Sequence, residues 1–206
     1  MTEAKSKTDK RIIRSKEALK KALLELMKIK PFSAITTTEI VKTADFNRGT
    51  FYAHYEHKEA LLEDIINDML NGLIAAFRKP YLEIDSFDFR HFPASAVALF
   101  DHIYENASLY SLMVDEQVMP GFKEKMYQAI STTSATDLIY DIDKTNPPID
   151  GELLNVYHMH ALLGLTFHWI QDGFKQTPDY MAKQLVLFLG LSKGERKVVT
   201  RMKPQT

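Results

Sequence analysis

Residues 37–58 contain side chains that could hydrogen-bond both the bases and the phosphates of a polyanion. Arg48 carries a planar guanidinium, which can donate two hydrogen bonds to the O6 and N7 atoms of one guanine. Thr50 can donate to a base or a phosphate, or place its methyl group against a thymine. Gly49 lies between them and has no side chain, so the backbone there can approach a ligand closely. These residue types could therefore recognise base edges and phosphate groups.

Two more residues of this segment suit phosphate groups. Tyr52 has a phenolic hydroxyl and Lys58 an ammonium group. Lys58 also stands at the start of a predicted helix, where the helix dipole favours an anion. Both residues would fix the position of a nucleic acid without reading its sequence.

Two short predicted helices position these side chains. The first covers residues 39–44, and one of the threonines at 36–38 can cap it. The second covers residues 48–55 and has Asn47 as its cap. In the turn between them Asp45 tolerates the left-handed backbone region better than most residues. This pattern predicts a helix-turn-helix, which places the first residues of its second helix in the DNA major groove.

The rest of the chain also shows helical periodicity, and no convincing alternating strand is present. The pattern predicts an all-α fold, with a loose polar arm over residues 1–9 and a fraying tail over residues 192–206. The predicted helices cover residues 10–29, 39–44, 48–55, 58–79, 93–106, 108–117, 120–139, 152–173 and 178–191.

Charge and composition narrow the class of protein. The net charge is −1, but residues 1–60 carry +5 and residues 61–206 carry −6, which favours a polyanion as the partner of the basic part. The absence of cysteine excludes disulfides, thiol nucleophiles and cysteine-bound zinc. The densest apolar run, 161–167, is far shorter than the roughly 20 residues of a membrane span, and no signal peptide is visible. We therefore expect a cytoplasmic protein without a membrane partner.

Residues 10–70 carry a more specific pattern. It consists of Thr37/Thr38-x-x-Ile40/Val41, Ala44 and the turn, Gly49-Thr50-Phe51-Tyr52-x-His54-Tyr55, and Lys58-Glu59-x-Leu61. This pattern resembles the DNA-binding domain of the tetracycline-repressor (TetR) family of bacterial transcription regulators. The resemblance implies that the matching positions contact or frame double-stranded DNA, and the candidate DNA-binding residues are Thr37, Thr38, Asn47, Arg48, Gly49, Thr50, Tyr52, His54 and Lys58.

The chain departs from the family pattern at two places. The turn usually reads Gly-Val-Ser, whereas here it is Asp45-Phe46-Asn47. A Ser, Asn or Asp usually caps the long helix where His57 stands, and His57 is expected to be a poorer cap. Neither change affects the face expected to meet DNA.

Residues 99–106 and 161–173 resemble one variant of the family's regulatory domain. The resemblance implies a helix-turn-helix domain with its N-terminal arm over residues 1–57, and a helical regulatory and dimerisation domain over residues 58–206. It also implies a cavity in the central helices for a small apolar or aromatic effector of unknown identity. Aromatic and methionine side chains could line this cavity, and the candidates are Phe100, Tyr104, Tyr110, Met113, Met126, Tyr127 and Phe167.

Homodimerisation has a physical argument of its own. The predicted helix 152–173 has apolar side chains around much of its circumference, and two apolar faces need two partners. A symmetric dimer would hold its recognition helices about 34–36 Å apart, the spacing of a palindromic operator. The candidate interface residues on the last two helices are Leu165, Trp169, Leu185 and Phe188.

These features predict a ligand-responsive, sequence-specific transcription regulator, best described as a repressor, with no catalytic residues and no bound metal or cofactor. Three alternatives remain. One is a metal sensor of the same fold using His158, His160 or His168. Another is a helical small-molecule-binding protein that does not bind DNA. The third, a hydrolase built around Asp141, would need a strand before that residue, where the pattern favours the end of a helix.

Overall fold

The computed structural model describes residues 2–82, 84–88, 92–94, 97–141, 149–190 and 197–200, and this part of the chain is mostly helical. The predicted all-α class is confirmed. The helices are α1 (Thr2–Met27), α2 (Thr37–Thr43), α3 (Arg48–Tyr52), α4 (Lys58–Arg78), α5 (Leu99–Glu105), α6 (Ala107–Met113), α7 (Phe122–Asp137), α8 (Gly151–Gln171) and α9 (Pro178–Gly190), with 3₁₀ turns at Phe32–Ala34 and Lys79–Tyr81. None of the helices described is both long enough and apolar enough to cross a membrane.

The chain forms two compact units. Unit 1 contains Met1–Met69 and Leu112–Pro120, and unit 2 contains Leu70–Ser111 and Gly121–Thr206. The division falls inside α4, so this helix belongs to both units. The assignment of residues 1–57 to DNA binding is a separate matter of function and stays a prediction.

Unit 1 is built around α1, whose Leu19 and Leu23 are fully buried, as are Ile40 of α2 and Phe51 of α3. Helix α1 begins at Thr2, so the predicted loose arm over residues 1–9 is wrong. These residues include neither Gly nor Pro, so none of them interrupts the helix. The same helix is packed into the core of unit 1 at Leu19 and Leu23.

The core of unit 2 contains Trp169 of α8, whose side chain is fully buried. The indole ring meets Phe100 and Phe174 edge-on at centroid distances of 5.5 and 4.9 Å. Its Nε1–H donates a hydrogen bond to the carbonyl oxygen of Gln176 at 2.9 Å. The only tryptophan in the chain is therefore a core residue with its polar atom satisfied.

Unit 2 also contains a small antiparallel sheet that the periodicity did not predict. Its strands are β1 (Ser86–Asp88), β2 (Leu138–Asp141) and β3 (Lys197–Thr200), in the order β1-β3-β2. In the strand register, Phe87 of β1 and Tyr140 of β2 are both paired with Val198 of the central strand.

The sheet corrects two predictions. The residues before Asp141 form a strand rather than the end of a helix, and part of the tail predicted to fray is the central strand. Both segments are rich in β-branched and aromatic residues, but the strands pair over long sequence separations that local periodicity cannot reveal. All described pairings are antiparallel, unlike the parallel sheet of a βαβ unit.

Candidate nucleic-acid interface

Helix α2 begins with a complete capping box. Thr36 Oγ1 accepts a hydrogen bond from the backbone N–H of Glu39 at 3.3 Å, and the Glu39 carboxylate accepts one from the backbone N–H of Thr36 at 2.9 Å. Lys30 donates to the same carboxylate at 2.6 Å. The hydrogen bond from Lys30 and those from Thr36 lower the pKa of Glu39 to about 2. The cap does not use Thr38, which is exposed, so the Thr38 hydroxyl is available to other partners.

The turn after α2 has the geometry expected from its sequence. Asp45 has a φ of 56°, in the left-handed region. Asn47 caps α3, because its Oδ1 accepts a hydrogen bond from the backbone N–H of Thr50 at 2.9 Å. The expected left-handed conformation of Asp45 and the expected capping by Asn47 are both confirmed.

Helix α3 is shorter than predicted and ends at Tyr52 rather than at residue 55. The backbone N–H groups of His54 and Tyr55 both donate to the carbonyl oxygen of Phe51 at 2.9 Å, which tightens the last turn. Tyr55 is thereby buried beside Phe51, with ring centroids 5.9 Å apart. The packing of these two aromatic rings fixes the buried side of α3 to the core of unit 1 and leaves its opposite side exposed.

The exposed side of α3 carries the side chains suited to base recognition. Arg48, Gly49, Tyr52 and Ala53 are exposed, and Thr50 is half-buried. The Arg48 guanidinium donates a hydrogen bond from Nη2 to Thr38 Oγ1 at 2.6 Å. Arg48 and Tyr52 lie one turn apart, so α3 presents a cation and a phenol on one open surface.

Lys58 has internal partners that the sequence pattern did not reveal. Its ammonium group donates to the carbonyl oxygens of Phe32, Ser33 and Ile35 at 3.0, 3.2 and 2.7 Å, and lies 4.6 Å from the centre of the Phe32 ring. In this arrangement Lys58 holds the connection between α1 and α2. Phosphate contact by Lys58 stays a prediction and would compete with these bonds.

His54 is tied to α1. Its Nε2 lies 2.6 Å from Ser15 Oγ, while Ser15 Oγ also lies 3.0 Å from the carbonyl oxygens of Arg11 and Ile12. The single hydroxyl proton of Ser15 serves those carbonyls, so His54 Nε2–H is the donor to Ser15. His54 therefore fixes the end of α3 against α1 through Ser15, a partner that the sequence pattern did not reveal. A role of His54 in DNA binding stays a prediction.

A charged cluster inside unit 1 holds α4 against α1. Asp64 accepts hydrogen bonds from the Tyr55 hydroxyl at 2.7 Å and from Lys16 at 3.2 Å, and it also pairs with Lys20, which binds Asp68 in addition. Burial would raise the pKa of Asp64, but the bonds from Tyr55, Lys20 and Lys16 outweigh it and lower the pKa. For Tyr55, burial and the bond to Asp64 raise the pKa. The i, i+4 spacing of the lysines and of the aspartates was a sequence signal for this cluster.

His57 is a better cap than expected. Its Nδ1 accepts a hydrogen bond from the backbone N–H of Ala60 at 3.1 Å, at the start of α4. This is the bond that a Ser, Asn or Asp would make at the same position. The departure from the family pattern at His57 thus preserves the capping interaction.

The predicted effector pocket is not where the described cavity lies. Phe100, Tyr110, Met113 and Met126 are buried core residues, and Tyr104 is half exposed and stacks on Trp169. A cavity of about 70 Å³ lies elsewhere in unit 2. None of the seven predicted pocket residues lines it, and their role in effector binding stays a prediction. Its walls include Phe77, Tyr81, Phe87, Leu99, Leu138, His158, Met159, Leu162, Leu185 and Leu189.

The four predicted dimer residues differ in exposure. Trp169 and Leu185 are buried within the single chain and offer a partner almost no surface. Phe188 is 49% exposed and Leu165 is half-buried. The apolar side chains that α8 and α9 do expose are Leu153, Val156, Tyr157, Tyr180, Leu187 and Phe188.

The three histidines considered as metal ligands differ in solvent exposure. His158 is buried, whereas His160 and His168 are exposed. Among the described residues, no group of three or more His, Asp or Glu side chains is arranged to hold a metal ion. Asp143, which follows the hydrolase candidate Asp141, lies outside the described residues.

Comparison with known proteins agrees with this geometry. Residues 19–65 match the family model described as bacterial regulatory proteins, tetR family, and residues 90–190 match the one described as transcriptional regulator C-terminal region. The uncharacterized HTH-type transcriptional regulator YxbF of Bacillus subtilis (strain 168) is 24% identical over 167 residues, which are 81% of this chain. The chain spans only 42% of the length of that relative.

Two solved structures share the fold. A TetR transcriptional regulator from Streptococcus agalactiae 2603V matches with a TM-score of 0.59 and 20% identity, over 88% of this chain and 97% of that one. The dihydroxyacetone kinase operon activator DhaS matches with a TM-score of 0.55 and 18% identity, over 85% of this chain and 93% of that one.

Proposed function

Because the chain belongs to the TetR family of bacterial transcription regulators, we propose that it binds a palindromic DNA operator as a homodimer and represses transcription until a small effector binds. It acts in the cytoplasm by binding, without a catalytic step. The observation that carries this proposal is the exposed surface of α3, where Arg48 and Tyr52 lie together on a helix capped by Asn47 and anchored by Phe51.

Arg48 is the residue we expect to read sequence. In Arg48→Ala, the affinity for a duplex selected from random DNA should fall by about 1–3 kcal/mol, because a bidentate contact to one guanine is lost. The preference at one base pair of each half-site should disappear. Lys42→Ala is the matched control, since it removes a charge from an exposed position of α2 and should leave base preference unchanged. An Arg48→Ala variant that keeps both the affinity and the preference would contradict the assignment.

The dimer proposal has support from the exposed face of α8. Leu153 and Tyr157 are each 67% exposed, and Gly164 lies on the same side of the helix with open space around it. Helix α9 exposes Leu187 and Phe188 as well. Large apolar side chains exposed on two helices favour burial against a second chain.

Phe188→Glu tests this interface. A carboxylate buried in an apolar contact is costly, so the dimer dissociation constant should rise by at least about tenfold, and operator binding should weaken with it. Thr132→Glu adds the same charge to an exposed position of α7 and should leave the dimer intact. Sedimentation of both variants at micromolar concentration is the measurement. A wild-type protein that sediments as a monomer would refute the proposal.

The effector would occupy the apolar cavity of unit 2. Ligand pockets for drug-sized molecules have volumes of about 300–1,000 Å³, so a cavity of about 70 Å³ suits a very small molecule or opens when a larger one binds. Ala76 and Phe77 of α4 line it, and the same helix continues into unit 1. Release of DNA requires that the effector bind the DNA-incompetent state more tightly. A thermal-shift screen, followed by DNA-binding titrations with each hit, tests whether stabilising molecules weaken operator binding.

A further inference from the structure

The cations of α1 differ in their partners. Lys16 and Lys20 pair with carboxylates of α4, and Lys28, which directly follows α1, pairs with Glu25. Arg11 and Arg14 are exposed, and within the described residues their guanidinium groups form no hydrogen bond or ion pair. Within the described residues, both guanidinium groups are therefore open to an external partner.

Arg11 and Arg14 line an open groove together with α3. The other wall of this groove includes Asn47, Gly49 and Thr50, which are candidate DNA-binding residues. The hydrogen bond between His54 and Ser15 fixes the two walls, since it joins the end of α3 to α1. Ser15 follows Arg14 directly and lies one turn after Arg11, so both arginines are held at a defined distance from α3.

The two sides of α3 therefore have different neighbours. On one side Arg48 meets Thr38 at the start of α2. On the other side Thr50 and Ala53 face the groove that contains the arginines. A helix inserted in the major groove, which is about 12 Å wide, lies between two phosphate backbones. Helix α2 is placed to meet one backbone, and the arginines of α1 are placed to meet the other.

We propose that Arg11 and Arg14 form a second, sequence-independent DNA contact, with the phosphate backbone on the α1 side of the recognition helix. This inference rests on the proposed DNA-binding function and adds a contact from outside the helix-turn-helix. A phosphate backbone fits the site because it supplies a continuous line of negative charge, and arginine binds phosphate with two parallel hydrogen bonds. An acidic protein surface would not need the arginines to lie beside α3.

Salt-dependent binding separates phosphate contacts from base contacts. Affinity falls as salt rises, and each neutralised phosphate steepens the negative slope of log affinity against log salt by about 0.9. In the double variant Arg11→Ala/Arg14→Ala the magnitude of this slope should decrease by about two, so that binding depends less on salt. The affinity at 50 mM salt should drop roughly tenfold per arginine. The loss should be equal for a 30-base-pair duplex selected from random DNA and for a scrambled duplex of the same composition.

Two variants control this experiment. Lys21→Ala removes a charge from another exposed position of α1 that does not line the groove, and should keep the wild-type slope. Arg11→Lys/Arg14→Lys should recover most of the slope, because it retains both charges. Circular dichroism melting checks that each variant folds, which the exposure of both arginines leads us to expect.

Three results would overturn the inference. The double alanine variant could keep the wild-type slope, or it could lose affinity no more than Lys21→Ala does. It could also lose affinity on the selected duplex alone, which would make the arginines base readers. In each case wild-type binding to the selected duplex would leave the proposed function standing, whereas a wild-type protein that ignores both duplexes at low salt would remove that function itself.

Discussion

Replacing Trp169 by alanine is expected to lower the free energy of unfolding by about 3–5 kcal/mol, the usual cost of truncating a large buried aromatic residue. The indole is fully buried, packs on Phe100, Tyr104 and Phe174, and donates to the Gln176 carbonyl. Urea unfolding followed by circular dichroism measures the change. Protomer concentration must be held constant, because any dimer makes stability depend on it.

Trp169→Phe serves as the matched control for Trp169→Ala. Phenylalanine keeps most of the apolar contact but loses the hydrogen bond, so its cost should be about 1–2 kcal/mol. An alanine variant that unfolds like the wild type yet sediments as a monomer would contradict the core assignment. That result would return Trp169 to the dimer interface.

Arg78→Ala is expected to cost about 3 kcal/mol of stability. The guanidinium holds the Asp137 carboxylate at two points, Nε to Oδ2 at 2.6 Å and Nη2 to Oδ1 at 3.3 Å. The Asp137 side chain is 7% exposed and ends α7, where the helix dipole disfavours a negative charge. Removing Arg78 leaves this carboxylate buried without its main partner, which typically costs 3–5 kcal/mol, and the 39% exposure of Arg78 places the effect at the lower end.

Two comparisons isolate the contribution of this pair. Lys183→Ala breaks the exposed pair with Asp179, whose side chains are 60% and 64% exposed, and should change stability by less than about 0.5 kcal/mol. Arg78→Met/Asp137→Leu replaces both charges by apolar groups and should recover most of the loss. Equal effects of Arg78→Ala and Lys183→Ala in urea unfolding would show that Asp137 does not depend on its partner.

The helix-turn-helix could be predicted from sequence because its signals are local. Asn47 caps α3 through a residue three positions away, and Asp45 adopts the left-handed backbone within the turn itself. The start of α4 at Lys58 likewise agrees with its predicted position. Interactions between residues a few positions apart can be predicted directly from the local sequence.

The partners of side chains were harder to predict because they depend on distant segments. A lysine at the start of a helix suits phosphate by its charge, but only the fold shows that three carbonyls already surround Lys58. The pairing of β2 with β3 joins residues about 60 positions apart. Neither feature has a local pattern.

Helix α8 shows the limit of periodicity most clearly. Apolar residues occur all round this helix, so the pattern indicates two partners but cannot tell the core face from the exposed face. The pattern therefore favours Trp169 for the interface, although this residue is buried in the single chain. The exposed positions Leu153 and Tyr157 of the same helix are the better candidates.

The central claim is that α3 reads duplex DNA in two copies held by a symmetric dimer. Its most direct test is a titration of the full chain against a duplex selected from random DNA and against the scrambled duplex, over a series of salt concentrations. We expect two chains per selected duplex, an affinity at least roughly 10³-fold above that for scrambled DNA, and binding that weakens steeply with salt. Equal affinity for both duplexes, or no binding to either at low ionic strength, would contradict the account.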